Sequence, residues 1–278
     1  GDDDQAIFTW SGADVDTFLG LKGEREVLGV THRLPRHLYG YSQMIVSRLS
    51  RRFEKKATPR PEAGALHRLS DWQQAPVQQG GSWMLLARNS FLLGPVKEWL
   101  HGAGLPYATA FGPSVDPKHL RAILSWERLR KGEAVAAEAV REMYDLMEVK
   151  KGHKTLPGVD AAQMLTLSEL HTAHGCQSRE PWFESLRKIP QRDRVYYQAI
   201  KRRSESLART PRIYVGTIHS VKGGEADNVA LLPDMTQRTW EGYERDRDAE
   251  HRTFFVGATR AKSALYLVAP STTRSYTL

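Results

Sequence analysis

Short runs of apolar and β-branched residues recur along this chain with helical patterns between them, and that alternation limits the fold more than any other sequence feature. Strands are expected at 26–30, 83–87, 107–110, 213–218, 228–232 and 265–268, each bounded by breakers. In 35–49 the apolar residues Leu38, Tyr41, Ile45 and Leu49 recur at helical spacing and make one greasy face. Residues 91–103 repeat the pattern through Leu92, Val96 and Leu100 until Gly102 and Gly104 stop it. Strand, helix, strand is the arrangement that builds a parallel sheet covered by helices.

The middle of the chain changes character. From 117 to 207 strand signals nearly vanish, while 120–130, 134–150, 161–174 and 182–208 read as helix. This is the signature of an all-helical insertion, begun near Pro113 and Pro117 and closed near Pro211, that splits one α/β domain into two sequence pieces. Residues 57–81, rich in Pro, Gln and Gly, read as a long surface connection.

With 40% hydrophobic and 26% charged residues the chain can bury a real core, which excludes disordered and collagenous classes. The single cysteine, Cys176, forbids an internal disulfide and points to a reducing, cytoplasmic setting. The apolar runs fall far short of the roughly 18 residues that a membrane span needs, and the acidic start is unlike a signal peptide. His171, His174 and Cys176, with His153 upstream, lack the second cysteine pair by which a zinc site declares itself, so no metal site is expected. Trp72, Trp83, Trp99, Trp126, Trp182 and Trp240 are expected as core or contact anchors.

The net charge of +8 is unevenly spread. Nine basic residues face three acidic ones in 184–212, and seven face two in 48–68, which leaves the rest of the chain net acidic. Such clusters are either the footprint of a polyphosphate backbone or a solvated helix face.

Three stretches carry chemistry. The opening GDDDQAIFTWSGA sets three carboxylates and an amide beside Phe8 and Trp10. It reads either as an acidic lead-in that caps a helix, or as groups serving a magnesium-bound phosphate with two aromatic faces for unpaired bases. Thr217 to Glu225 leaves a strand into a Gly-rich turn that lets backbone N–H groups approach phosphate or sugar. Glu250 to Lys262 sets Arg252, Val256, Thr259 and Lys262 near one side of a helix, with Arg260 at the end that meets the last strand.

Together these resemble the superfamily 1 DNA helicases of the UvrD/Rep type. The opening is similar to their motif III, Thr31 to Leu34 to motif IV, Thr217 to Glu225 to motif V and Glu250 to Lys262 to motif VI. Leu85 to Tyr107 also resembles the family. The resemblance implies an α/β, RecA-like parallel sheet of the P-loop NTPase helicase type, the second motor domain, with a shortened 2B-like helical insertion. The expected division is 1–25 as the tail of a first motor domain, 26–114 and 209–278 as the second motor domain, and 115–208 as the insertion.

Carried over residue by residue, the resemblance implies that Gln5 senses the γ-phosphate of ATP and orients water. Arg33 and Arg260 would act as arginine fingers, Glu225 would hold the ribose, and His32 and Gly223 would complete the nucleotide site. Phe8 and Trp10 would stack on bases of single-stranded DNA; Arg88, Asn89, Thr217 and His219 would contact its backbone or sugars. The implied activity is ATP-driven translocation or unwinding of DNA with 3′ to 5′ polarity, in DNA repair among other settings, by a monomer at junctions of single and double strands. The sequence departs from the family in three places: His32 stands for a tyrosine, Ser11 for an arginine and His251 for one of two paired arginines. A phosphate loop of the form G-x-x-x-x-G-K-[ST] and a strand ending Asp-Glu are missing, so the chain is expected to be a carboxyl-terminal piece that needs the first motor domain, the main source of Mg2+ ligands, and is inactive alone. The alternative reading is an inactive helicase-like module that binds nucleic acid or protein through the basic insertion.

Overall fold

The computed structural model describes residues 1–12, 14–24, 26–148 and 156–278, except the side chain of Trp10. The strands are β1 (Val30–Pro35), β2 (Thr58–Arg60), β3 (Ala65–Leu69), β4 (Trp83–Ala87), β5 (Tyr107–Thr109), β6 (Gly112–Pro113), β7 (Val135–Ala136), β8 (Met164–Leu165), β9 (Ile213–Thr217), β10 (Ala226–Leu232) and β11 (Ala261–Val268). The helices are α1 (Val15–Leu19), α2 (Arg36–Val46), α3 (Gly94–Gly102), α4 (Pro117–Arg130), α5 (Ala137–Asp145), α6 (Leu167–Ala173), α7 (Trp182–Ser185), α8 (Gln191–Arg202), α9 (Gln237–Arg245) and α10 (Arg247–Ala258). They fall into two compact units. Unit one holds 1–99, 107–111 and 212–278; unit two holds 100–106 and 112–211.

Unit one is built on a parallel α/β sheet in which β3, β11, β10, β4, β9 and β5 lie side by side in that order. Central strands of such a sheet are covered on both faces and therefore read as unbroken apolar runs rather than alternations. Leu85, Leu86, Val229, Ala230 and Leu231 are all at most 1% exposed. Helix α10 lies against this sheet closely enough that a Cβ on Gly257 would come within 2.9 Å of Leu231 Cδ1 and 3.2 Å of Ile218 Cγ1. Phe254 and Val256 on the same helix are fully buried. Among the described residues no helix is long and apolar enough to cross a membrane.

Unit two is helical around Trp126, Val140, Met143, Leu170, Trp182, Tyr196 and Ile200. Its buried polar atoms find partners: Trp126 Nε1 donates to the Glu180 carbonyl at 2.9 Å, and Tyr196 Oη to that of Leu105 at 2.9 Å. Gly104 takes φ +65 where a Cβ would meet the backbone of Ala199 at 2.8 Å, so this turn tolerates no side chain.

Several local expectations are corrected. The stretch 57–81 contains β2 and β3; the polar His67 and Arg68 on an edge strand disguise its pattern. The first strand begins at Val30 instead of ending there, because Val27 and Leu28 stay exposed and pairing with β2 starts at Val30↔Thr58. The helix expected at 182–208 breaks into α7 and α8, with Pro190 as the N-cap of the second. Within 161–174, Met164–Leu165 pairs antiparallel with Val135–Ala136 before a capping box at Thr166 and Glu169 opens α6. The helix expected at 134–150 is α5, and positions 149–150 lie outside the described residues, as does His153. The helix of the last motif ends at Ala258, so Thr259 and Lys262 lie beyond it, Lys262 in β11.

Of the tryptophans, Trp83, Trp126 and Trp182 are buried, Trp72 meets Trp99 edge-on with centroids 5.5 Å apart, and Trp240 packs near Tyr243.

Candidate functional site

Two groups of candidate side chains collect at opposite ends of the parallel sheet in unit one. At the amino-terminal edge, β10 and β11 start in register, Ala226 opposite Ala261, which brings Glu225 and Arg260 together although they are distant in sequence. Arg33 reaches them from β1: its Nε donates to Glu225 Oε2 at 2.9 Å and its Nη1 to the Thr259 carbonyl at 3.4 Å. Arg260 is 1% exposed. It donates to the carbonyls of Val256 (2.9 Å) and Gly224 (3.1 Å), to Thr259 Oγ1 (3.0 Å) and to Gln5 Oε1 (3.4 Å).

Every acceptor on Arg260 is neutral. Burial, followed by repulsion from Arg33, pushes its guanidinium down to about 10. Glu225, whose carboxyl is held below its usual range chiefly by the hydrogen bond from Arg33, offsets only part of this positive charge. A cavity of about 600 Å³ opens here, lined by Gln5, Arg33, Thr259 and Arg260 among others, a size suited to a small ligand. Asp2, Asp3, Asp4, Glu24 and Glu26 line it as well, with Lys22, Arg52 and Lys55, so its charge is mixed; Arg33 and Arg260 supply forked donors that can take an anionic group. His32 is exposed on β1, and Gly223 occupies a turn at φ +90; neither is among the residues lining the cavity.

The acidic opening is spent on structure. Arg52 grips Asp4 with two hydrogen bonds of 3.0 and 2.9 Å, and Lys55 pairs with Asp2, Asp3 and Asp4. Asp3 also accepts the Phe53 N–H at 2.8 Å, while its own carbonyl accepts from Arg252 Nε at 2.9 Å. Asp3 and Asp4 are 2% and 3% exposed. Carboxylates neutralised in this way do not fit a magnesium ion, and among the described residues no cluster of three metal-ligating side chains occurs. Much of the basic stretch 48–68 is thereby accounted for: Arg52 and Lys55 hold this loop, Arg51 pairs with Asp16, and Arg60 with Glu62. Arg52 and Lys55 are held in largely buried ties, while Arg51 and Arg60 pair at the surface.

The other group sits where β4 and β9 end, Ala87 opposite Thr217. Arg88 forms a two-pronged ion pair with buried Glu250 at 2.7 and 2.8 Å. Asn89 donates to Thr239 Oγ1 at 2.8 Å and accepts the Thr236 N–H at 3.1 Å, which ties the end of β4 to the start of α9. Thr217 caps the following 3₁₀ turn through Ser220 N–H. His219 is pushed down to about 4, first by burial and then by Arg88 and Lys222, so it is neutral at pH 7. Phe8 meets its ring edge-on, with centroids 5.9 Å apart, and Lys222 lies 5.1 Å above Phe8. Phe8 is thus half-buried, and the side chain of Trp10 lies outside the described residues.

The two ends are linked. Glu250 lies in the first turn of α10 and Arg260 two residues past its end, with about 12 Å of helix from Glu250 to Ala258 between them. Lys222 Nζ donates to the Gln5 carbonyl at 2.7 Å, so the loop that carries Gln5 and Phe8 is fastened near both groups. Neither tie is legible in the sequence, because Arg88 and Glu250 are 162 residues apart and Gln5 and Lys222 are 217 apart. His251 has a packing role: its Nδ1 lies 2.8 Å from Tyr276 Oη, and burial lowers its pKa. A neutral ring fits among Tyr243 and Tyr276 where an arginine would bury a charge.

Comparison with known families gives a match to the UvrD-like helicase C-terminal domain over residues 124–272. No curated protein matches the chain.

Proposed function

The chain belongs to the UvrD-like helicases through their C-terminal domain, and on that basis we propose that it is the half of an ATP-dependent DNA helicase or translocase that completes the nucleotide site and grips single-stranded DNA. The observation that carries the nucleotide part is the meeting of Arg33, Arg260 and Gln5 around one cavity, with Arg33 held there by Glu225 and Arg260 bound to neutral acceptors.

In this reading Arg33 and Arg260 neutralise charge on the outer phosphate of ATP, and the Gln5 amide orients the attacking water. ATP supplies the phosphoanhydride whose cleavage drives the cycle. Arg33 exchanges Glu225 for phosphate when the site closes, which frees the Glu225 carboxylate for a ribose hydroxyl. Arg260 stays fixed by its carbonyl partners and moves only with α10. Mg2+ is held by groups other than Asp3 and Asp4, whose charges Lys55 and Arg52 already neutralise.

Phe8, Trp10, Arg88, Asn89, Thr217 and His219 serve the single strand. Phe8 and the neutral His219 offer ring faces to bases, and Arg88 has donors beyond those that hold Glu250. Helix α10 then joins the DNA grip at Glu250 to the phosphate grip at Arg260, so a change of bound nucleotide is felt at the strand.

The test is made in a protein that pairs this chain with a phosphate loop. Arg260→Ala and Arg33→Ala are each expected to lower DNA-stimulated ATP hydrolysis by about 10³–10⁵-fold while single-strand affinity stays within a few-fold. Unchanged turnover refutes the assignment.

A further inference from the structure

Single exposed hydrophobic side chains are common on protein surfaces, so what marks a site is an aromatic pair placed at one edge on anchored backbone. Phe111 is 98% exposed and Phe91 83% exposed, and both belong to unit one. Both follow parallel strands at the carboxyl-terminal edge of the sheet. Phe91 stands four residues past the end of β4 and Phe111 two past the end of β5. Strand β9, which ends at Thr217, runs between those two strands. At about 4.8 Å per strand spacing, β4 and β5 run about 10 Å apart, with β5 ending two residues short of the level of Ala87. The carboxyl edge of an open parallel sheet is where α/β folds place ligands.

Neither backbone is loose. Phe91 sits in a 3₁₀ turn, Ser90–Leu93, closed by Leu92 N–H on the Asn89 carbonyl at 3.2 Å and anchored by Leu93, which is 1% exposed. The Asn89 side chain is itself bound to Thr236 and Thr239. Phe111 N–H donates to Thr109 Oγ1 at 3.1 Å. Rings carried on anchored backbone lose less entropy on binding than rings on a loose loop.

We propose that Phe91 and Phe111 are two further base-stacking platforms that extend the single-stranded DNA path across the ends of β4, β9 and β5, beyond Phe8 and His219. The chemistry selects this occupant. A phenyl ring offers a π-face and no hydrogen bond, which suits any unpaired base and no paired one. Arg88, one residue past β4, and Lys222, five past β9, are cationic, and beyond their ties to Glu250 and the Gln5 carbonyl each keeps N–H donors for a phosphate backbone. The inference rests on the single-strand grip proposed above.

The experiment measures fluorescence anisotropy of a labelled, mixed-sequence single-stranded oligodeoxynucleotide with the whole chain, beside the same length of duplex and an abasic oligodeoxynucleotide. Phe91→Ala and Phe111→Ala are each expected to weaken single-strand binding by about 5- to 150-fold, and Phe111→Trp to retain it. On the abasic strand the alanine variants are expected to match the unchanged chain. Because both rings are exposed, the variants keep the fold, and an unchanged thermal midpoint checks this. If the unchanged chain binds single strands and both alanine variants bind as it does, or lose equally on the abasic strand, the platforms are refuted and the grip stands. If the unchanged chain does not bind single strands at all, the grip itself falls and the platforms with it.

Discussion

The tie between Arg88 and Glu250 offers the sharpest test of how unit one is held together. Arg88 Nε and Nη2 meet the two Glu250 oxygens at 2.7 and 2.8 Å, with the side chains 24% and 6% exposed. An exposed ion pair contributes about 0–1 kcal/mol, whereas removing one partner of a buried pair costs about 3–5 kcal/mol because the other charge is left stranded. The arginine end is partly wet and the glutamate end is dry, so Arg88→Met is expected to cost about 2–4 kcal/mol. Glu250→Gln keeps an acceptor and loses the charge, at about 1–2 kcal/mol. The double variant Arg88→Met with Glu250→Leu leaves no buried charge and is expected to regain most of the loss, to within about 1 kcal/mol of the unchanged chain. Urea unfolding followed by tryptophan fluorescence reads this directly. With a slope near 3 kcal/mol/M, Arg88→Met should lower the midpoint of the unit one transition by about 1 M. A shift below about 0.2 M, or a double variant as unstable as Arg88→Met, would refute the reasoning.

Other outcomes follow from the same geometry. His219 titrates at about 4 in the folded chain and near 6.5 when unfolded. The unfolded chain therefore binds the proton first, and stability present above about pH 6.5 is lost as the pH falls towards 4. The ceiling is about 3 kcal/mol, reduced to about 1–2 by the partial exposure of the ring; His219→Asn should flatten this part of a urea-midpoint profile, and an unaltered slope would assign the effect elsewhere. Tripolyphosphate should stabilise unit one by about 2.7 kcal/mol at a hundred times its dissociation constant, and Arg33→Ala should abolish most of that gain in a thermal melt; equal stabilisation of the variant counts against the cavity as the anion site. In unit two, Gly104→Ala combines φ +65 with a Cβ 2.8 Å from the Ala199 backbone, for an expected loss of about 2–4 kcal/mol. A loss under about 0.5 kcal/mol would show that this turn can shift.

The parallel sheet was legible because its strands are buried on both faces, so local composition alone marks them: 83–87 is expected and observed as β4, and 213–218 differs from β9 only at its end. Edge elements were not. In β3 the polar residues lie on a short edge strand that pairs with β11, and no window of sequence contains that pairing. The helical middle was legible as helix but its breaks were missed: Pro190 is a local breaker within 182–208, whereas Met164–Leu165 is a strand only through its pairing with Val135–Ala136, outside its segment.

For the candidate site the division follows the range of the forces. The residue types and their spacing in four short motifs depend on nearest neighbours, and the sequence by itself determined those, together with the family to which they belong and the α/β class. Which charges stay available is a question of pairing in space. Asp3 and Asp4 look like ligands until Lys55 and Arg52, some fifty positions later, neutralise them. The resemblance pairs Arg33 with Arg260, but their meeting at one cavity depends on β1 reaching the place where β11 starts beside β10. Electrostatic energy depends on distance and burial and is indifferent to separation along the chain, so only the tertiary structure could decide which carboxylates are spent and which guanidinium groups share a site.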